Sequence, residues 1–362
     1  MSRVEPVTKS QLFLFLIQIQ IGFGILYLPN TLQQTAKSDG WISIILAGCT
    51  VQLVIVLYWL LIRRFPSISY FELTKKIIGT HLGYIFNVLT YIYLILTSTY
   101  ILIASSILVK NVLLTMTPHW AIGFLLLAMC IYLSSSNLQI IVRVFTVLSV
   151  VIMFIIVLSF LTFSLPMEVR NLTPIGSSGL SNIIKGIKDS LFALYGFGII
   201  LFLYSSARHK GKTFLKVITF SNIFVVAITV YLTFLSFVIL NPTLISQLKL
   251  PVIYIFRPLH FNMIDRIDLI FISIWCIPVV MSIAVYIYFA SHWKSTSFKK
   301  SNYFVYINGV LIYVLFLLAS KSDQSFELYG KYLHFLSYVV MFMIPLILLV
   351  ISYILKKKEH PS

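Results

Sequence analysis

Ten stretches of at least 18 residues contain no Asp, Glu, Lys or Arg: 10–36, 40–62, 82–109, 111–142, 144–167, 190–207, 217–248, 269–293, 301–320 and 332–355. A helix needs ~20 predominantly apolar residues to cross the hydrocarbon layer, and one charge at its centre costs roughly 2.5–3.5 kcal/mol on insertion scales. Lipid offers the backbone no hydrogen-bond partners, so a spanning run satisfies its own N–H and C=O groups as a helix. The pattern predicts an all-α integral membrane protein with ten transmembrane helices in a single membrane domain over 1–362. The first run follows Arg3 and Lys9. It is too long for a signal peptide and lacks a small-residue cleavage site, so it is read as the first span.

Composition narrows the function classes. Charged residues are 10% of the chain and hydrophobic residues 59%, against about 25% charged in a soluble domain. A soluble enzyme, a disulfide-stapled secreted domain and a disordered chain are excluded. Cys49, Cys130 and Cys276 each lie inside an apolar run without a CxxC partner, so they read as small hydrophobes. The net charge of +17 reflects loop topology rather than nucleic-acid binding. Sorted by alternate loops, the side holding both termini carries +14 and the other side +3. Basic loops stay inside, which predicts that both termini are cytoplasmic. Ser69–Ile78, in an inner loop, is expected to form a short interfacial helix.

Two near-identical segments stand five spans apart. The first span contains Ile21-Gly22-Phe23-Gly24-Ile25-Leu26 and the sixth Tyr195-Gly196-Phe197-Gly198-Ile199-Ile200. Glycine weakens a helix by ~1 kcal/mol relative to alanine, and Pro29 removes a further donor after the first pair. Five is odd, so two five-helix halves have opposite orientation. Paired interruptions at corresponding positions are the pattern of inverted-repeat transporters with a midplane site. The predicted repeats cover 10–165 and 182–356, with helices 1 and 6 broken. Closely spaced small residues also let membrane helices approach one another, which is the competing explanation.

The broken-helix reading selects ligand-binding candidates. Gly22, Gly24, Tyr195, Gly196 and Gly198 lie at the interruptions, with Phe23 and Phe197 as lids. Tyr93, Thr97 and Tyr100 share one face of the third span at i, i+4 and i+7. Trp275 offers an aromatic wall for an ammonium group, and Gln18 stands one turn before Gly22, placed to cap a freed backbone group. Asp265, Arg266 and Asp268, before the eighth span, are candidates for a loop ion pair or a partner contact. No enzyme signature, metal set or cofactor motif is present: Gly211-Lys212-Thr213 lacks the glycine a phosphate loop needs, and the histidines are scattered singly. No Asp, Glu, Lys or Arg sits in the middle of any predicted span, which weakens a proton-driven pump. An apolar, aromatic pocket of this kind favours a small hydrophobic amino acid.

Motifs along nearly the whole chain add a resemblance. Gly22-Phe23-Gly24-Ile25-Leu26-Tyr27-Leu28-Pro29, then Asp39-Gly40-Trp41-Ile42-Ser43, resemble the first helix and the start of the second in the B subunits of bacterial spore germinant receptors. Those subunits are an offshoot of the amino acid/polyamine/organocation permease superfamily. Phe65-Pro66-Ser67-Ile68-Ser69-Tyr70, with Ile78-Gly79 and Leu82-Gly83, is similar to that family's first cytoplasmic loop. Ile264-Asp265-Arg266-Ile267-Asp268 followed by Trp275 is similar to a stretch before its eighth helix. Gly198 departs from the family, which often has an acidic residue after the Gly-Phe of helix 6. The resemblance implies a LeuT-like fold of two inverted five-helix repeats in the spore inner membrane. It also implies sensing of a small nutrient, often an amino acid, together with A and C subunits. The alternative is a secondary amino acid transporter of the same fold. Neither reading calls for a cofactor, and membrane lipid is the only other partner expected.

Overall fold

The computed structural model describes residues 6–259, 266–293 and 298–359. Asp265 lies outside them. The described residues form sixteen α-helices: α1 (Lys9–Gln20), α2 (Gly24–Thr35), α3 (Gly40–Ile62), α4 (Tyr70–Ile78), α5 (Thr80–Val112), α6 (His119–Ser134), α7 (Leu138–Phe160), α8 (Leu180–Leu194), α9 (Ile200–Leu203), α10 (Lys212–Ile239), α11 (Pro242–Gln247), α12 (Pro251–Tyr254), α13 (Ile267–Ser291), α14 (Phe298–Ala319), α15 (Asp323–Tyr338) and α16 (Ile344–Ile354). No β-strand occurs among the described residues.

Among the described residues, eight helical spans are long and apolar enough to cross a membrane, and the bent pair α1–α2 makes a ninth. The expectation of ten is met less fully at 111–142. That run folds only α6, of 16 residues, about 24 Å at 1.5 Å per residue and short of a ~30 Å hydrocarbon core. Polar residues shorten it: Thr115, Thr117 and Pro118 precede it and Ser135–Asn137 follow.

The packing repeats itself when the halves are exchanged. The second helix of each half lies against the first of the other, as α3 on α8 and α10 on α1. The third helices pack on each other, α5 on α13. The fourth of each half meets the third of the other, α6 on α13 and α14 on α5. A pseudo-two-fold axis between inverted repeats produces such reciprocal pairs.

Both termini lie at one end of the bundle. Val7 pairs with Ala207, and Glu359 N–H donates to Arg64 O at 2.9 Å. Arg64 donates to Ser352 O, an orphan carbonyl in the last turn of α16, and to Lys357 O just beyond it, each at 3.0 Å. The predicted loop helix forms as α4. A capping box of Ser69 and Glu72 starts it, Tyr70, Phe71, Leu73 and Ile77 are buried, and Lys75 and Lys76 face outward. At the opposite end, Asp39 is buried and accepts from the N–H groups of Gly176 (2.7 Å) and Ser178 (3.0 Å). It ties the 168–179 segment to the start of α3. Trp59, near the end of α3, is buried and donates to Gly211 O at 2.8 Å.

Candidate functional site

The first interruption is a true bend. α1 ends at Gln20, Gly22 N–H turns back to Gln20 O at 2.9 Å, and α2 begins at Gly24 with its axis bent by 49°. No side chain caps the start of α2, so its first N–H groups and the positive end of its dipole have no side-chain partner. The second interruption is milder than expected. Between α8 and α9, Tyr195–Ile199 tighten into a 3-10 segment. The span Leu180–Ser206 is not bent sharply. A mid-helix 3-10 stretch keeps the chain's direction while altering its hydrogen bonding.

The two interruptions touch. A Cβ on Gly196 would lie 2.6 Å from Ile19 O and 2.8 Å from Gln20 Cα, and one on Gly24 would lie 2.7 Å from Ala193 Cα. These glycines let the crossing backbones meet, so the packing role holds for both. At Gly22 the nearest atom to such a Cβ is Ile19 O at 3.9 Å. That glycine borders open space.

The open space is a cavity of about 600 Å³ enclosed by α1, α2, α5, α8, α13 and α15. It runs from the interruptions toward the end of the bundle opposite the termini. Of the predicted candidates, Gly22, Phe23, Gly24, Tyr93, Thr97, Tyr100, Tyr195 and Gly196 line it. Tyr93, Thr97 and Tyr100 do share one face of α5, although the Thr97 hydroxyl donates to Tyr93 O at 2.8 Å.

Three candidates lie elsewhere. Phe197 points away from the cavity and packs between Tyr58 (5.8 Å) and Phe342 (6.2 Å). A Cβ on Gly198 would run into the Met341 side chain. Met341 belongs to a π-helical turn, Val339–Met343, that joins α15 to α16, so Gly198 makes room for that turn. Trp275 is buried and stacks on Phe271 at 5.4 Å, beside Ile21, Ile152 and Tyr231 on the far side of α1. The reason is depth along α13: Tyr286, eleven residues on and so on nearly the same face, reaches the cavity, while Trp275 stands about 16 Å away along the helix axis. Gln18 caps no freed group at the bend; it donates to Phe145 O on α7.

At the mouth of α13, Arg266 and Asp268 form the expected ion pair, with Nε–Oδ1 at 3.2 Å and Nη2–Oδ2 at 2.7 Å. Arg257 Nε adds a third charge 3.7 Å from Asp268 Oδ2. Asp268 is buried while both arginines are half exposed. Arg266 is held protonated above its already high range, first by its hydrogen bond to that carboxylate.

The cavity also contains residues that the sequence did not single out. Gln20 is 1% exposed and neither of its amide atoms has a hydrogen-bond partner. The Tyr93 and Tyr195 hydroxyls and Asp189 Oδ2 are likewise buried and unpaired. His334 stands against Phe192 at 5.0 Å, and Glu327 and Lys331 are exposed at the mouth. The expectation of an ionisable-free interior is corrected by Asp189, which lies one residue before a charge-free run. α8 begins ten residues before that run, and a carboxylate facing a cavity avoids lipid.

The sequence profile of the family described as spore germination protein matches residues 6–326. The chain belongs to the spore germination protein family. Spore germination protein YndE of Bacillus subtilis (strain 168) is 25% identical over 99% of each chain. This germination-family chain shares its fold with solved transporters. One is a sodium-coupled sialic acid symporter in a substrate-bound outward-open state, with TM-score 0.69 and 12% identity over 94% of this chain and 78% of that one. Another is MhsT in complex with L-phenylalanine, with TM-score 0.64 and 12% identity over 99% and 91%. Both likenesses establish the LeuT-like fold. The chain is thus an integral membrane protein of germinant-receptor or transporter type, and its family and fold are those of permeases rather than enzymes.

Proposed function

We propose that this chain is the membrane subunit of a spore germinant receptor and that it binds a small nutrient, an amino acid, at the paired interruptions. The observation that carries this reading is the 600 Å³ cavity bordered by Gly22, Phe23 and Gly24 on one span and Tyr195 and Gly196 on the other. The ligand carboxylate meets the uncapped start of α2, where the dipole is positive, and its ammonium meets carbonyls at the ends of α1 and α8. The bound L-phenylalanine of MhsT, on the same fold, supports an amino acid as the ligand class.

In this reading the repeats span 10–165 and 182–356, the protein sits in the spore inner membrane with both termini cytoplasmic, and A and C subunits read its state. A ligand that binds one helix arrangement better than another shifts their populations, and the partners respond to that shift. Deleting the gene in a spore former and scoring germination nutrient by nutrient tests the proposal. Loss of the response to one class of amino acid is expected. Unchanged germination to every nutrient, in a strain without a redundant paralogue, would overturn it.

The same cavity favours a secondary amino acid transporter as the second reading. Purified chain in liposomes separates the two. Binding without uptake is expected of the sensor, whereas concentrative uptake of a labelled amino acid is expected of the carrier.

A further inference from the structure

We propose that the ligand is an amino acid with a cationic side chain, whose distal ammonium or guanidinium is held by Asp189 inside a wall of aromatic rings. This rests on the reading above, in which the ligand's own carboxylate and α-ammonium occupy the interruptions. It replaces the hydrophobic amino acid that the sequence favoured.

Asp189 lines the cavity from α8, and its Oδ2 is buried with no hydrogen-bond partner. Asp189 is half-buried, and a carboxylate oxygen buried without a partner, even where the other oxygen has Thr35 nearby, calls for a donor from a ligand. The protein's own cations at the site are otherwise engaged or misplaced. Lys331 stands one turn after Glu327 on α15, the spacing at which a Glu–Lys pair balances itself. Lys188, the preceding residue, is exposed and makes no ion pair with Asp189 among the described contacts; its attraction acts through solvent and leaves Oδ2 without a hydrogen-bond donor. His334 lies against the aromatic face of Phe192. With two carboxylates and one lysine, the lining carries a formal charge of −1, in a chain whose net charge is +17.

The rings that line the cavity together with Asp189 suit a cation. Phe192 follows it at i+3 on the same face of α8. Phe192 meets Tyr100 edge-on, with centroids 5.5 Å apart at 82°, and Tyr100 stacks on Phe326 at 4.9 Å and 15°. All three rings line the cavity. Aromatic faces next to a carboxylate bind ammonium and guanidinium groups by cation–π attraction and charge-assisted hydrogen bonding. A neutral aliphatic side chain would leave the carboxylate unpaired.

The distance fits as well. Asp189 and Gly196 are seven residues apart, about 10 Å along a helix axis. A zwitterion at the interruption, a four-carbon stem as in lysine and the aspartate's own side chain together cover a gap of that order.

Equilibrium binding of labelled lysine, norleucine and cadaverine to the full chain in lipid nanodiscs tests this. Norleucine keeps lysine's stem without the distal ammonium, and cadaverine keeps both amines without the carboxylate. Lysine is expected to bind about 10- to 100-fold more tightly than norleucine, the worth of one charge-assisted hydrogen bond. The near-isosteric Asp189→Asn should bring lysine down to the norleucine level and leave norleucine unchanged. Norleucine binding as tightly as lysine to the unaltered chain would overturn the proposal without recourse to any variant. So would a lysine preference that survives Asp189→Asn. If cadaverine binds as tightly as lysine, the carboxylate site at α2 fails while the Asp189 pole stands.

Discussion

Gly22 and Gly196 each open a Gly-Phe-Gly segment but have different surroundings. Alanine at 196 forces its Cβ to within 2.6 Å of the Ile19 carbonyl, a backbone atom that cannot step aside, whereas alanine at 22 meets nothing closer than 3.9 Å. Gly196→Ala should therefore lower the melting temperature in detergent, at an overpacking cost of about 1–3 kcal/mol. Gly22→Ala should leave the melting temperature within error and alter ligand affinity. Melting curves by fluorescence-detected size exclusion measure both. Gln20 gives a contrasting case. Its amide is buried with neither atom paired, so it contributes little to stability and is free to meet a ligand. Gln20→Met removes an unsatisfied polar group of the kind that costs about 1–3 kcal/mol. It should hold or raise the melting temperature while weakening amino acid binding. A fall in melting temperature as large as that of Gly196→Ala would show that Gln20 serves the fold.

The helices extend past the charge-free runs that revealed them. The runs locate hydrocarbon-facing segments, because insertion penalises charge there. They say less about the ends, where a helix continues into water or faces a cavity. α8 starts at Leu180 rather than 190 and α15 at Asp323 rather than 332. Those extra turns bring Asp189, Glu327 and Lys331 to the cavity. The first bend and the shared face of Tyr93, Thr97 and Tyr100 were legible from glycine pairs and helical spacing. The Val339–Met343 π turn was not, because no glycine or proline marks its start and it depends on packing against Gly198 and Tyr58. That Tyr286 rather than Trp275 reaches the cavity was hidden too, because the two share a face of α13 and differ only in depth along it. α13 is apolar on all sides, so periodicity gave it no preferred face. Asp39, noticed in sequence only as part of a motif, has a specific task in the structure. Asp39→Ala removes the acceptor for Gly176 and Ser178 N–H. Faster hydrogen exchange over 173–180, with α5 and α13 unchanged, is the expected result.

Across the whole molecule, reciprocal packing of two inverted halves places the interruptions together and both termini at one end. The loop charges predict that this end is cytoplasmic. In a background lacking the three native cysteines, Ser177→Cys should react with a membrane-impermeant maleimide on intact cells. Lys358→Cys should react only after permeabilisation, and the reverse result would invert the topology. The central claim is that the cavity beside the interruptions holds an amino acid. The most direct measurement is saturable binding of labelled amino acids to the full chain in nanodiscs, compared with a Thr97→Trp variant that fills the cavity from α5. Binding to the unaltered chain, lost in a variant that still elutes as a folded protein, is the predicted result. Undiminished binding in the filled variant, or no binding of any amino acid to the unaltered chain, would contradict it.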